Sequence, residues 1–385
     1  MLYRGELARI FLVVFSQKVM YFIASMHLNP KTYNMRTFIV LLFTLFPFYN
    51  SFSQQTDSSE ILLNQGIALH DNKDYEGAIK IYDEIIKRDP GYYMAWYEKS
   101  LSLLTMGKNQ ECVDISKQIL NQFPNHRDIR KVYVNYGSAL DVLGRPDEAI
   151  AIYSEGIKKI PGFYLLYFNR GITEYAQKDI ESAVSDFKQS VGLNPFHASS
   201  HQYLAYSVYN KNKIAAVMSL STFLLIEPEG ARAEKNLKIL LKLLSSNVEQ
   251  KDEKNITINL SPQVLDTKQQ GEDDFHMAEL TISLQTANDF GEKSKGLNDV
   301  EKLKGKLETL AIISTETKKS KQGFFSRFYI PFLKQMKDHN YLEIASYIMY
   351  SAGGDEALNK WLKENQAKVE DFYKWLKAYQ WAKEE

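Results

Sequence analysis

The chain has 385 residues, more than one hydrophobic core normally serves, so two or three structural units are expected. Hydrophobic residues at 44% and charged residues at 24% are ordinary globular values and exclude a wholly disordered or collagen-like chain. Lys and Arg number 47, as do Asp and Glu, so no broad basic field exists to release counterions from nucleic acid, and no nucleic-acid partner is expected.

Residues 1–53 differ from the rest. They hold apolar runs at Ile10–Phe15, Val19–Ala24 and Phe38–Tyr49, and the basic residues Arg4, Arg9, Lys18, Lys31 and Arg36 against a single acid, Glu6. Met35-Arg36, the apolar run from Phe38 and then Ser51-Phe52-Ser53 follow the order of a secretory signal: basic start, short apolar core, small residues before a cut placed after Ser53. This reading makes residues 1–34 an extension from an upstream start and sends the mature chain to the periplasm or cell envelope. The last run is short for a bilayer core of about 30 Å, which favours cleavage over anchoring. The alternative makes the apolar runs membrane segments, so that the protein meets a membrane only through an uncleaved leader. Without the leader 42 basic and 46 acidic residues remain, a mildly acidic, soluble composition.

From residue 54 to 245 the prolines keep time. Pro90, Pro124, Pro161, Pro195 and Pro228 are spaced by 34, 37, 34 and 33 residues, each closing a stretch of helical apolar periodicity. With each proline set at position 32 of a 34-residue unit, position 4 reads Leu62, Trp96, Tyr133 and Tyr167, and position 8 gives Gly66, Gly137 and Gly171. Position 20 reads Ala78, Cys112, Ala149 and Ala183, and position 24 reads Tyr82, Ser116, Tyr153 and Phe187. Small residues at 8 and 20 let two helices approach closely, the aromatic at 24 fills the space beside the next unit, and proline at 32 helps to stop the second helix. The pattern resembles the tetratricopeptide repeat family over 59–92, 93–126, 130–163 and 164–197, and more weakly over 198–231. The fold expected is therefore all-α: a solenoid of helix-turn-helix units, four clear and one degenerate. Cys112 and Ser116 weaken the packing positions of the second unit, and the extra residues Arg127–Ile129 lengthen the turn that follows it. Cys112 is the sole cysteine and reads as a small buried hydrophobe.

Ala233–Leu244, with lysines opposite its apolar face, reads as a capping helix. Residues 246–272, rich in Asn, Gln, Lys, Glu, Asp and Ser, read as a flexible polar linker with one short alternating stretch, Ile256–Leu260. Residues 273–385 predict a small helical region of no assigned family. Its helices are expected at about Met277–Asn288 and Asn298–Ile313, then in the aromatic segments from Phe324 and Tyr341, with Asp355 capping a long final helix. The density of aromatics there, including Trp361, Trp375 and Trp381, points to core packing, or to a segment that packs onto the solenoid.

No catalytic constellation is legible. There is no Gly-x-Ser-x-Gly elbow and no Gly-rich loop ending in Gly-Lys-Ser/Thr, and no cofactor is implied. His197 and His201, four apart, are the best metal candidates, but one falls in a turn and the other at packing position 4, so structural roles are expected and no metal site is assigned. Asp273, Asp274 and His276 form a polar cluster of a kind too common to count as a site.

Function is then expected where the family puts it. The resemblance implies that the first helices of successive units line a groove that binds an extended or helical segment of a partner protein. Transferred by position, the groove comprises Met94, Tyr97, Leu101 and Leu104 in the second unit, Lys131 and Val134 with Ser138 and Asp141 in the third, Leu165, Phe168, Ile172 and Tyr175 in the fourth, and Tyr206 and Tyr209 with Ser199 and Gln202 in the fifth. Position 5 carries no lysine, and only the asparagines Asn135 and Asn169 at position 6 match the clamp with which chaperone-binding members hold a terminal carboxylate. An apolar, tyrosine-lined groove suits hydrophobic anchors instead. The same aromatics would be occupied from within if they pack against the fifth unit or the C-terminal region. The expected function is a non-enzymatic scaffold or adaptor of the cell envelope. The alternatives are an enzyme whose active site lies in 273–385, with the repeats recruiting substrate, and a membrane-anchored subunit of an envelope complex.

Overall fold

The computed structural model describes residues 58–251, 255–260, 273–291, 294, 296–313 and 323–382. The leader, its cut after Ser53 and the apolar runs of residues 1–53 lie outside them. Two compact units form, one ending at Ser102 and one starting at Leu103.

In the first unit, helix α1 covers 58–71 and α2 runs Tyr75–Arg88, started by Asp74, whose carboxylate accepts from the Gly77 N–H at 2.9 Å. Helix α3, Tyr93–Thr105, crosses into the second unit. The core is Leu63, Ala78, Tyr82, Ile85 and Ala95. Gly66 has to be glycine, because a Cβ there would overlap the Tyr82 ring.

The second unit continues with α4 (Asn109–Gln122), α5 (Arg130–Val142), α6 (Pro146–Lys159), α7 (Tyr164–Ala176), α8 (Ile180–Leu193), α9 (Ala198–Val208), α10 (Lys213–Ile226) and α11 (Ala231–Ser245). Each packs on the next, which is the consecutive hairpin packing the repeat predicts. The contact of positions 8 and 24 recurs, since a Cβ on Gly137 or Gly171 would collide with Tyr153 or Phe187. Proline acts one residue early. α2, α4, α6, α8 and α10 each end two residues before their proline, and Asp89, Phe123, Ile160, Asn194 and Glu227, which directly precede those prolines, all leave the α region with ψ between 47 and 88°. Cys112 and Ser116 are buried without the aromatic of the other units, and the Cys112 thiol lies 3.8 Å from the Asn135 carbonyl.

In the stretch expected as linker, β1 (Val248–Gln250) pairs antiparallel with β2 (Ile256–Ile258), Val248 opposite Ile258. Helices α12 (His276–Asn288), α13 (Asp299–Ile313), α14 (Phe324–Asp338) and α15 (Leu342–Ser351) follow. The C-terminus does not form the single long helix expected. It is two helices, α16 (Glu356–Glu364) and α17 (Gln366–Ala378), broken at Asn365, whose amide side chain donates to the Trp361 carbonyl and whose backbone leaves helical geometry (φ −108°, ψ 25°). Asp355 caps α16 at the Ala357 and Leu358 N–H groups.

One hydrophobic core runs without interruption from Ala183 in α8 to Tyr379 after α17. Its centre is α10, buried all round from Ile214 to Leu225 because α9 and α11 cover it together with α12, α14 and α15. The aromatics of α14 and of the C-terminus meet there. Phe332 stacks on Trp375 at 5.7 Å and Phe328 on Trp381 at 4.8 Å. Among the described residues no helix is long and apolar enough to cross a membrane.

Candidate functional site

The first helices of the hairpins, α3, α5, α7 and α9, carry the expected groove residues, and their surroundings differ along the chain. In the first unit Met94, Tyr97 and Leu101 are half-buried, with Met94 against the core and Tyr97 stacked on Tyr93 at 6.4 Å. In the second unit Leu104 and Val134 are half-buried and Lys131 is exposed, whereas Asn135 is buried. The Asn169 side chain is turned back to the Leu165 carbonyl at 2.7 Å. Asp141 accepts from the Thr173 hydroxyl at 2.7 Å and the Tyr153 hydroxyl at 3.2 Å, and burial raises its pKa.

Towards the fifth hairpin the aromatics close on one another. The Phe168 ring lies 4.7 Å from His197, 6.1 Å from Phe187 and 6.0 Å from Tyr203. Tyr203 in turn meets Tyr175 and Tyr206 edge-on, each at 6.0 Å. Phe168 and Ile172 thus pack against the protein's own core. Tyr206 is fixed in place, donating to Asn236 of the capping helix at 2.7 Å and accepting from Gln202 at 3.1 Å. The row ends at Tyr209, which is 45% exposed.

There it opens on a cleft of about 1260 Å³, bounded by Tyr175, Tyr206 and Tyr209 on one side and by α11 and the start of α12 on the other. Lys235, Ile239, Lys242 and Leu243 line it from α11, and Ser246 from the cap that ends the helix; their spacing of 4, 3, 1 and 3 residues keeps them on one helical face. From the sequence alone these lysines form only the solvent side of a cap. The stripe could have been found from that spacing, but the wall opposite it, near residue 273, could not.

The polar cluster of Asp273, Asp274 and His276 forms that wall, and its charges are spent inside the protein. The buried Asp273 carboxylate accepts the Phe325 and Ser326 N–H groups at 3.0 and 2.7 Å and so caps α14 from a distance, while its carbonyl accepts from Asn212, the N-cap of α10. Asp274 accepts from the His276 N–H and ring Nδ1 at 3.1 and 2.6 Å. Glu279 pairs with Lys213 at 3.1 Å and accepts from Asn247. No group of three or more His, Cys, Asp or Glu placed to hold a metal occurs among the described residues.

His201 has its structural partners. The Pro195 carbonyl at 2.8 Å can only accept, so Nε2 carries the proton and Nδ1 accepts from the Tyr329 hydroxyl at 2.7 Å. This bond joins the fifth hairpin to α14, and burial lowers the His201 pKa to about 4. Burial raises the Cys112 thiol to about 11, which leaves it protonated and unreactive at neutral pH.

Helical hairpins at a fixed period of about 34 residues, closed by prolines and locked by a glycine against an aromatic, define a helical-repeat protein. Residues 54–111 and 135–198 match the tetratricopeptide repeat family. The chain carries tetratricopeptide repeats in these two stretches. It is 32% identical over 109 residues to the STIP1 homolog of Dictyostelium discoideum, covering 28% of this chain and 19% of that protein. It is 24% identical over 148 residues to a TPR repeat-containing protein of Methanocaldococcus jannaschii, covering 38% and 25%. The chain thus spans about a fifth to a quarter of the length of these curated relatives. Among solved structures it is similar to PilF of Pseudomonas aeruginosa, at 17% identity and a TM-score of 0.43, over 50% of this chain and 90% of that one.

Proposed function

We propose that the protein is a non-enzymatic scaffold that holds a segment of a partner protein on the face formed by the first helices of the second unit's hairpins, with the cleft at Tyr175, Tyr206 and Tyr209 as the principal contact. The observation that carries this reading is the cleft itself: large, open to solvent, and walled by tyrosines of which Tyr206 is hydrogen-bonded and Tyr175 is packed on Tyr203, while Tyr209 stands exposed. Tyrosine offers wide contact area at small entropic cost, and a side chain fixed before binding loses little more on contact. Phe168 and Ile172 serve this surface from beneath, supporting the tyrosines. Within the second unit, Leu104 and Val134 are half-buried and retain area for a partner. The basic, then apolar, then small-residue order of the leader supports work in the cell envelope after export.

The test is a photo-crosslinking amino acid placed at Tyr209, with a control at exposed Glu181 on α8, in cells that make the full chain. Partner adducts are expected at Tyr209 and not at Glu181, and identical or absent adducts at Tyr209 would reject the surface. For export, N-terminal sequencing of the mature protein is expected to begin at Gln54. A chain still starting at Met1 or Met35 would refute the cleaved leader.

A further inference from the structure

The cleft carries an imbalance of charge that the fold does not use. Among the described residues three carboxylates line it, Asp273, Asp274 and Glu279, and all are engaged within the protein as described above. Among the described residues four lysines line it, and of these only Lys213 has an ion partner, Glu279. Lys211 in the turn between α9 and α10, and Lys235 and Lys242 on the inward face of α11, are exposed and form no ion pair among the described residues. Neighbouring Lys238, which points away from the cleft, is by contrast matched by Glu234 at 2.6 Å. The fold therefore neutralises the lysine on the outer face of α11 and leaves those facing the cleft free.

Resting on the scaffold reading above, we infer that the cleft selects an acidic segment of a protein partner, one that places two or more carboxylates against Lys211, Lys235 and Lys242 and an apolar side chain between Tyr209 and Ile239. The lysines supply charge complementarity and the tyrosine wall supplies the buried area. A flat polyanion would satisfy the lysines but leave the wall of Tyr209, Ile239 and Leu243 uncovered, which favours a peptide over nucleic acid.

The probe is a fluorescein-labelled octapeptide alternating Glu with Leu, read by anisotropy on the full chain, beside its Gln-for-Glu counterpart and an oligo-dT of equal charge. The Glu peptide is expected to bind more tightly than both, and to weaken when salt rises from about 0.05 to 0.5 M, as screened surface charges require. Lys235→Glu with Lys242→Glu is expected to weaken the Glu peptide about tenfold, in line with exposed ion pairs of up to about 1 kcal/mol each, and to leave the Gln peptide unchanged. Tyr209→Ala is expected to weaken both peptides. All three side chains are exposed, so circular dichroism of the variants should match the parent. Equal affinity for the Glu and Gln peptides, tighter binding of oligo-dT, or an indifferent double variant each overturns the acidic ligand. Equal Glu and Gln binding that Tyr209→Ala still weakens would sink only this inference and leave the scaffold surface standing. Loss of Tyr209 adducts in cells would sink both.

Discussion

Two buried titratable residues respond to pH in opposite directions, and each direction follows from what surrounds the side chain. The His201 imidazole is fully enclosed, so its pKa of about 4 in the folded protein lies below the ordinary 6.5. Between those values the unfolded chain binds the proton and the folded one resists it. Stability is therefore held above pH 6.5 and lost as pH falls towards 4, by about 2 kcal/mol between pH 7 and about pH 5. Urea unfolding at the two pH values should show that loss, and His201→Gln should remove most of it. Glu174 runs the other way. Burial, with Asp186 adding to it, raises its carboxyl to about 7 from 4.5, so stability is held at low pH and lost as pH climbs from 4.5 through 7. Asp186 is already held by Arg170 at 2.7 Å through both oxygens, which leaves Glu174 without the better half of that cation. Glu174→Gln should therefore raise the unfolding midpoint at about pH 8 and have little effect at about pH 5. Position 4 of the repeat marked His201 as a packing residue in the sequence. Its partner Tyr329 lies 128 residues away, and no local pattern announces such a bond.

At the scale of the hairpin, the turn between paired helices makes the same backbone demand in four units. Position 15 is left-handed at Lys73, Gly107, Gly144 and Lys178, with φ of 65, 81, 71 and 69°. Two units meet the demand with glycine and two strain a lysine, at a cost of about 1 kcal/mol each. Lys178→Gly should accordingly stabilise the protein by up to about 1 kcal/mol, and Gly144→Ala should destabilise it by a similar amount; thermal melts of the pair would show shifts of opposite sign. The Gly144-Arg145-Pro146-Asp147 turn was readable directly, and the evenly spaced prolines placed the other hairpins. The helices after residue 273 were readable to within a residue or two where glycine or Asp355 punctuates them. The break at Asn365 was not, because the apolar periodicity of Trp361, Leu362, Val369, Phe372 and Leu376 passes through it with only a small phase shift. The β1–β2 hairpin was hidden in polar composition, its only trace being the alternation at Ile256–Ile258.

On the largest scale, the second unit has one core, so of the two sequence readings of the aromatic-rich C-terminal region, a compact helical domain or a segment packed onto the solenoid, the packing matches the second. A capping helix normally offers a polar outer face, and α11 does so at the Glu234–Lys238 pair, but it covers only part of α10. The twelve residues Ile214–Leu225 have no solvent-facing side, and α12, α14 and α15 supply the remaining cover. The His201–Tyr329 bond and the capping of α14 by Asp273 fix that cover in register with the fifth hairpin. The same arrangement creates the cleft, since one of its walls is the segment from Asp273 to Glu279 that leads into α12. The C-terminal helices should therefore be indispensable to folding of the last hairpin. A chain ending at Ser246 would bare the apolar flank of α10 at about 25 cal/mol for each Å² uncovered, a loss of several kcal/mol for one helix face. Its melting temperature is expected to fall by about 10 °C or more, with binding of a hydrophobic dye at low temperature. In the full chain, Asp273→Ala should cause a smaller loss of about 1 to 2 kcal/mol, because it removes the cap and leaves the apolar cover in place. If the shortened chain melted at the temperature of the full one and bound no dye, α10 would be stable with one flank bare, and the C-terminal region would be an appendage with its own core.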